Sequence, residues 1–178
     1  VGLAVWTMSH TAMPNQPFGL WLNFLPIALL GLLVQTGAEE IVFRGYLQRH
    51  LSARFKSPVV WLVLPSVLFG LVHYDPASAG ENVWLVVLAA TIFGLCAADL
   101  TARTGSIGAA WGLHFANNLL AISFLATDGT ITGLSLYLTP YTADEIPQSL
   151  LLIDMGITIA TWLACRAIVP ARAKPNAI

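Results

Sequence analysis

Charge is what this sequence has least of. Eight Lys and Arg and nine Asp and Glu serve 178 residues, so 10% of the chain is charged while 57% is hydrophobic. Water-soluble domains carry about 25% charged residues, and a soluble globule of this size could not clothe its surface with so few. The apolar excess also rules out intrinsic disorder. A net charge of -1 offers nucleic acid no basic footprint. Two cysteines, Cys96 and Cys165, cannot build a disulfide framework or a zinc–thiolate cluster. A basic n-region leading into a short apolar stretch, the mark of a signal peptide, is missing as well. What remains is an integral membrane protein, with the lipid bilayer as its first partner.

Five apolar stretches approach the roughly 20 residues that a helix needs to cross a bilayer: 18–38, 58–73, 82–100, 106–126 and 147–169, the second being the shortest. Alternation of period two is absent, which argues against an outer-membrane barrel. The expected fold class is all-α, a polytopic transmembrane helix bundle of about five spans plus the end of an earlier one. Residues 1–17 read as the last turns of an upstream span and an external loop, 18–170 as one membrane domain, and 171–178 as a cytoplasmic tail. The chain is thus expected to be a piece of a longer protein.

Loop charges give the direction. Arg49, Arg54 and Lys56 lie between the first two spans, Arg103 between the third and fourth, and Arg166, Arg172 and Lys174 at the end. Asp75 and Glu81 lie in one of the other loops, and Asp128, Asp144 and Glu145 in the other. Positive residues mark the cytoplasmic side. The expectation is a multi-pass protein of the cytoplasmic membrane with its C-terminus inside.

Against this apolar background a few polar residues stand out, because a carboxylate at a helix centre costs about 2.5–3.5 kcal/mol on insertion scales. Glu39 and Glu40 follow an apolar run in Gln35-Thr-Gly-Ala-Glu-Glu-Ile-Val-Phe-Arg44, His73 closes Phe69-Gly-Leu-Val-His73, and His114-Phe-Ala-Asn-Asn118 lies inside the fourth span. Glu40 and Arg44 are four apart, so on a helix they share a face and pair. Glu39 is turned about 100° away, toward Phe43 and Tyr46. His114 and Asn118 again project together. One carboxylate has a built-in cation, and the other is left for chemistry. Asp99 and Asp154 read as structural or cavity-facing residues, and Trp21, Trp61 and Trp84 as interfacial anchors. A straight helix from Phe18 to Arg54 would run about 55 Å against an apolar core of about 30 Å, so a bend or an interfacial helix is expected near 46–55.

Glu-Glu-x-x-x-Arg, Phe-x-x-x-His and His-x-x-x-Asn, in that order on separate membrane helices, resemble the CPBP family of intramembrane proteases. That family includes type 2 CAAX prenyl endopeptidases (Ras-converting enzyme) and bacterial bacteriocin-processing and immunity proteins. The resemblance implies an endopeptidase acting on membrane-associated or hydrophobic peptide or protein substrates. In it Glu39 is the general base, His73 helps to position a water, and His114 and Asn118 supply oxyanion donors. Glu40 and Arg44 support them. A metal version would use His73, His114 and Glu39 or Glu40 to hold Zn²⁺ with a position left for water. No H-E-x-x-H helix is present, and the metal-free mechanism, with no cofactor, is favoured. Taken singly, the Glu–Arg pair reads as a structural bridge, His73 as an interfacial residue, and His114 with Asn118 as interhelical hydrogen-bond glue. Two other functions use the same residues: a non-catalytic immunity or chaperone protein on this scaffold, and a proton-coupled transporter. Inverted repeats, which would favour the transporter, are not detected. Oligomeric state is not written in the sequence.

Overall fold

The computed structural model describes residues 12–171. Of the regions expected at the two ends, residues 1–11 and the tail from Arg172 onward lie outside the described residues.

Prolines and caps set the helix limits. α1, Phe18–Arg54, starts after the extended Pro17 and stops where Phe55 turns extended, three residues before Pro58. α2, Val59–Leu71, begins directly after Pro58. α3, Pro76–Thr104, is opened by the Asp75 carboxylate, which accepts from the Ala77 and Ser78 N–H groups, and has Pro at its first position. It ends at Gly105, whose φ of 72° is the left-handed conformation that glycine adopts at no steric cost. α4, Gly108–Leu119, continues as a π-helical turn Leu120–Phe124, and α5 covers Gln148–Ile168. Among the described residues, α1, α3 and α5 are long and apolar enough to cross a membrane. The second and fourth expected spans are shorter helices than their apolar stretches suggested. Leu125 and Ala126, placed in the fourth span by hydropathy, are extended.

The protein is a helical membrane protein, as its composition dictates, with one addition. Three short strands, β1 (Met13–Pro14), β2 (Leu125–Asp128) and β3 (Tyr137–Thr142), form a sheet of order β1-β3-β2. β1 pairs antiparallel with β3, Met13 opposite Leu138, and β2 pairs parallel, Leu125 opposite Tyr137, with an irregularity between Ala126 and Asp128. β1 lies in the stretch read as an external loop, and β2 and β3 lie at the edge of and within the acidic loop of Asp128, Asp144 and Glu145. Asn82, in a 3₁₀ turn near the start of α3, donates to the Ile146 carbonyl at 2.9 Å and so ties that end of α3 to the segment that follows β3. At the opposite end, segments near 49, 61 and 105 surround a cavity of about 590 Å³. The loops therefore sort into two ends as the charge pattern requires.

The core sits between α2, α3 and α4. Phe69, Phe93, Ala97 and Ala110 are buried together, with Phe43, Ala90 and Leu113 packed against them. Small residues let α2 and α3 approach. A Cβ on Gly70 would lie 2.0 Å from Thr91 Oγ1 and 2.6 Å from the Val87 carbonyl. Gly94 faces Ser66 in the same way, its Cβ position 3.0 Å from Ser66 Cα. Close backbone approach is the usual basis of helix association where lipid removes the hydrophobic driving force. The outer face of α1 leaves Ile27, Leu30 and Val34 more than half exposed, the satisfied state for side chains that meet lipid. α5 packs on α3 near the Asp99 carboxylate, which accepts from Trp162 Nε1 at 2.9 Å and lies 3.6 Å from Arg166 Nε. Asp99 is thus a structural link between two helices. Trp21, expected as an interfacial anchor, is buried, and its indole donates to the Ser123 carbonyl at 2.7 Å.

Candidate active site

α1 stays helical from Phe18 to Arg54, with a change of hydrogen-bond pattern on the way: Ile41–Gln48 is π-helical, starting directly after Glu40. Such segments put an extra residue into a turn and concentrate at functional sites. Here the segment turns Arg44 and Gln48 onto α3. Arg44 Nη2 donates to the Gly94 carbonyl at 3.3 Å and Gln48 Nε2 to the Ala98 carbonyl at 2.9 Å. Two donors four residues apart on α1 thus grip two carbonyls four residues apart on α3.

Glu40 lies at the inner side of this seam. Its side chain is 0% exposed, and Oε1 accepts from Arg44 Nη1 at 2.8 Å, the pair expected from the spacing. The Arg44 guanidinium, itself buried, also stacks 4.5 Å from the centre of the Phe69 ring. The same Oε1 lies 2.8 Å from His114 Nδ1. A carboxylate only accepts, so Nδ1 carries the proton and Nε2 is turned the other way. That fixes the ring, as a carboxylate does behind a catalytic or metal-bound imidazole.

His114 Nε2 points toward Glu39. The Glu39 Oε2 atom is 3.8 Å from it and has no hydrogen-bond partner, although the side chain is 30% exposed. Asn118 Nδ2 is 3.4 Å from the same nitrogen. The two glutamates were expected to look in different directions, with only Glu40 engaged. They do leave the helix differently, yet they converge on opposite nitrogens of one imidazole. Three of the four expected catalytic side chains, Glu39, His114 and Asn118, therefore meet around one gap, with Glu40 and Arg44 behind it.

His73 is the exception. It follows α2 on an exposed turn, and its Nδ1 hydrogen bond goes to the Phe69 carbonyl at 2.8 Å. Phe69 is the common neighbour: its ring centroid is 4.9 Å from His73 and 5.8 Å from His114. Among the described residues, no hydrogen bond or ion pair joins His73 to Glu39, His114 or Asn118. Nor is any group of three or more His, Cys, Asp or Glu among them arranged to hold a metal ion. Glu40 is already committed to Arg44 and His114, and His73 stands apart, so the residues named for Zn²⁺ are not gathered as one ligand set.

Sequence reasoning missed Gln35. Its Nε2 donates to Glu39 Oε1, and its Oε1 accepts from Asn118 Nδ2 at 3.2 Å. The signal was available, since Gln35 lies four residues before Glu39 and on a helix faces the same way. Thr36 was missed too. It is buried and accepts from Trp111 Nε1 at 3.1 Å, so it helps to fix α4 against α1.

No solved structure matches the chain at a significant level. Among curated proteins, it is 33% identical to uncharacterized protein YyaK of Bacillus subtilis (strain 168) over 115 residues. That alignment covers 64% of this chain but 38% of YyaK, so the chain spans well under half of that relative's length. A family model described as type II CAAX prenyl endopeptidase Rce1-like matches residues 4–120. This stretch holds every residue around the gap, from Gln35 to Asn118, and it makes up more than half of the sequence. On that match the chain belongs to the type II CAAX prenyl endopeptidase Rce1-like family.

Proposed function

We propose that the protein is an intramembrane endopeptidase of the cell membrane that hydrolyses peptide bonds of membrane-associated or hydrophobic peptides with a water activated by Glu39. The observation that carries the proposal is the unpartnered Glu39 Oε2, 3.8 Å from His114 Nε2 beside the Asn118 amide. A base needs a free lone pair within reach of a water, and an oxyanion needs donors already aimed at it.

In the proposed cycle, Glu39 Oε2 takes a proton from water as the water oxygen bonds to the scissile carbonyl carbon. The carbonyl oxygen becomes an oxyanion and accepts from the Asn118 amide. His114 Nε2 lies beside that amide, its ring held in place by the Glu40 carboxylate on Nδ1. Collapse of the tetrahedral species breaks the C–N bond, and Glu39 returns its proton to the leaving amine. His73, whose Nδ1–H is held by the Phe69 carbonyl, keeps Nε2 as an acceptor for positioning the water. The family's own description makes a prenylated C-terminal peptide one substrate to try. The C-terminus is proposed to face the cytoplasm, because the loops at the cavity end carry the basic residues.

The test is to incubate purified full-length protein with a lipopeptide and membrane-peptide library, prenylated members included, beside Glu39→Ala. Cleavage by the wild type alone supports the assignment. Cleavage by the variant at the wild-type rate removes Glu39 as base, and no cleavage by either favours a non-catalytic membrane protein on this scaffold.

A further inference from the structure

We infer that Gln35 is a positioning residue for the proposed reaction: a single amide that locks the Glu39 carboxylate and aims the Asn118 donor. The inference rests on the proposed endopeptidase function and adds a residue to it.

The argument begins with donors and acceptors. A primary amide offers two N–H donors on one side and a carbonyl acceptor on the other, and an ionised carboxylate offers acceptors only. Gln35 touches both Glu39 on its own helix and Asn118 on α4. Its NH₂ must face Glu39, because the reverse would set a carbonyl oxygen against a carboxylate oxygen. Its Oε1 then faces Asn118, which must present Nδ2. Asn118 Oδ1 is turned the other way and accepts from Asn117 Nδ2 at 3.4 Å. The direction of every bond in the chain from Asn117 through Asn118 and Gln35 to Glu39 follows from that one carboxylate.

This order has two consequences at the gap. Gln35 occupies Glu39 Oε1, so Oε2 is the oxygen left to take a proton, and it is the one that looks at His114. Without the amide, the terminal torsion of a glutamate is broad and roughly two-fold, and the two oxygens would exchange places. Asn118 uses one amide hydrogen on Gln35, and the other rests beside His114 Nε2, where the oxyanion would form. Flipping the Asn118 amide would present its carbonyl there instead, and a carbonyl repels an oxyanion. Gln35 is exposed on a helix long and apolar enough to cross the membrane, so its polar group carries an insertion cost. The side chain plays no part in the Glu40–Arg44 seam or in the Phe69 core. Its hydrogen bonds are directed wholly at the base and at the oxyanion donor.

The experiment uses full-length protein and the best-cleaved peptide from the library above, with Gln35→Met, which keeps length and removes both hydrogen bonds. A misplaced catalytic group costs about 10–100-fold, so kcat is expected to fall by that factor while KM stays within twofold and thermal stability is unchanged. A merely structural role would not give this split. The second arm places Gln35→Met in the Glu39→Ala background. In that background the share of the effect that Gln35 exerts through Glu39 is already gone and only the share exerted through Asn118 remains, so the added loss is smaller than in the wild type, whereas an independent residue adds its full factor. A kcat within twofold of wild type, or equal losses in both backgrounds, overturns the inference while leaving the peptidase intact. A wild type that cleaves nothing overturns the peptidase and the inference together, so the two failures are distinguishable.

Discussion

Glu39 and Glu40 are neighbours in sequence and opposites in environment. Glu40 is fully buried, and one of its oxygens takes hydrogen bonds from both a guanidinium and an imidazole. Glu39 is partly open, is steadied by one neutral amide, and keeps Oε2 free. A buried carboxylate with a cation on it is locked: its charge is spent on holding Arg44 and His114 in place. Glu40 Oε2 is also without a hydrogen-bond partner, but it is sealed inside the bundle, whereas the free oxygen of Glu39 belongs to a side chain 30% exposed and faces His114 Nε2. In the proposed reaction two identical side chains take the roles of frame and tool, and what separates them is the roughly 100° of helix rotation between consecutive residues, which sets each against a different nitrogen of His114.

The comparison breaks most visibly at Glu39. Glu39→Gln keeps the shape and the contact with Gln35 but removes the proposed base. Peptidase turnover should fall about 10²–10⁴-fold, the usual worth of a general base, with no change in thermal melting measured on the same preparation. If Glu39 were structural, melting would move instead.

Glu40 should show the reverse balance. Glu40→Ala leaves the buried Arg44 without its carboxylate, and breaking such a pair costs about 3–5 kcal/mol, read by denaturant titration in mixed micelles. Replacing both partners, Glu40→Leu with Arg44→Met, should recover most of that stability, because an apolar pair needs no desolvation. Activity should stay lost, since His114 Nδ1 would have no acceptor. Recovery of turnover along with stability would show that Glu40 does not act through His114.

Gly70 tests the α2–α3 contact beside Phe69, the ring against which Arg44 and His114 pack. A Cβ there would meet Thr91 Oγ1 and the Val87 carbonyl, and such overpacking typically costs about 1–3 kcal/mol. Gly70→Ala should lower the denaturation midpoint and leave KM for peptide nearly unchanged. An alanine tolerated without loss would mean that α2 and α3 are not held as closely as the packing implies.

Asp75 is the control carboxylate, outside the membrane-spanning helices, and the smallest effect. The Ser78 hydroxyl, then the Ser78 and Ala77 backbone N–H groups, hold its carboxyl below the usual value of 3.8. A depressed acid contributes stability that is complete above the ordinary value and is lost as pH falls through the lower folded one. Asp75→Asn should therefore melt slightly below wild type at neutral pH, and the gap should close below about pH 4. A gap that persists at low pH would rule out the charge of the cap as its source.

Much of this could be read from the chain. Hydropathy located the middle of each of the five helices among the described residues, though not all of their ends, because lipid forces backbone groups to pair within a segment. The i,i+4 rule gave the Glu40–Arg44 pair before any coordinates, and charge asymmetry sorted the loops into two ends. Gln35 escaped because a neutral amide beside an acidic motif carries no signal of its own until its second partner is known. The sheet escaped for a related reason. Met13–Pro14 and Tyr137–Thr142 lie more than 120 residues apart, and no local pattern announces a pairing of that range. His73 is the clearest lesson. Its spacing from Phe69 puts it on the same face of α2, yet its Nδ1 is tied back to that helix, so sharing a motif did not place it in the hydrogen-bonded cluster.

The sequence alone determined what is local: a lipid-soluble composition, the periodic helices, and side-chain pairs one turn apart. Those follow from solvent and from helical geometry, which act on each segment separately. The tertiary structure alone decided which groups meet. It brought α4 against α1 so that one imidazole lies between two adjacent glutamates, and it turned Arg44 and Gln48 onto the carbonyls of α3. Contacts between helices depend on how side chains from distant segments fill the same space, and that is a property of the packed bundle.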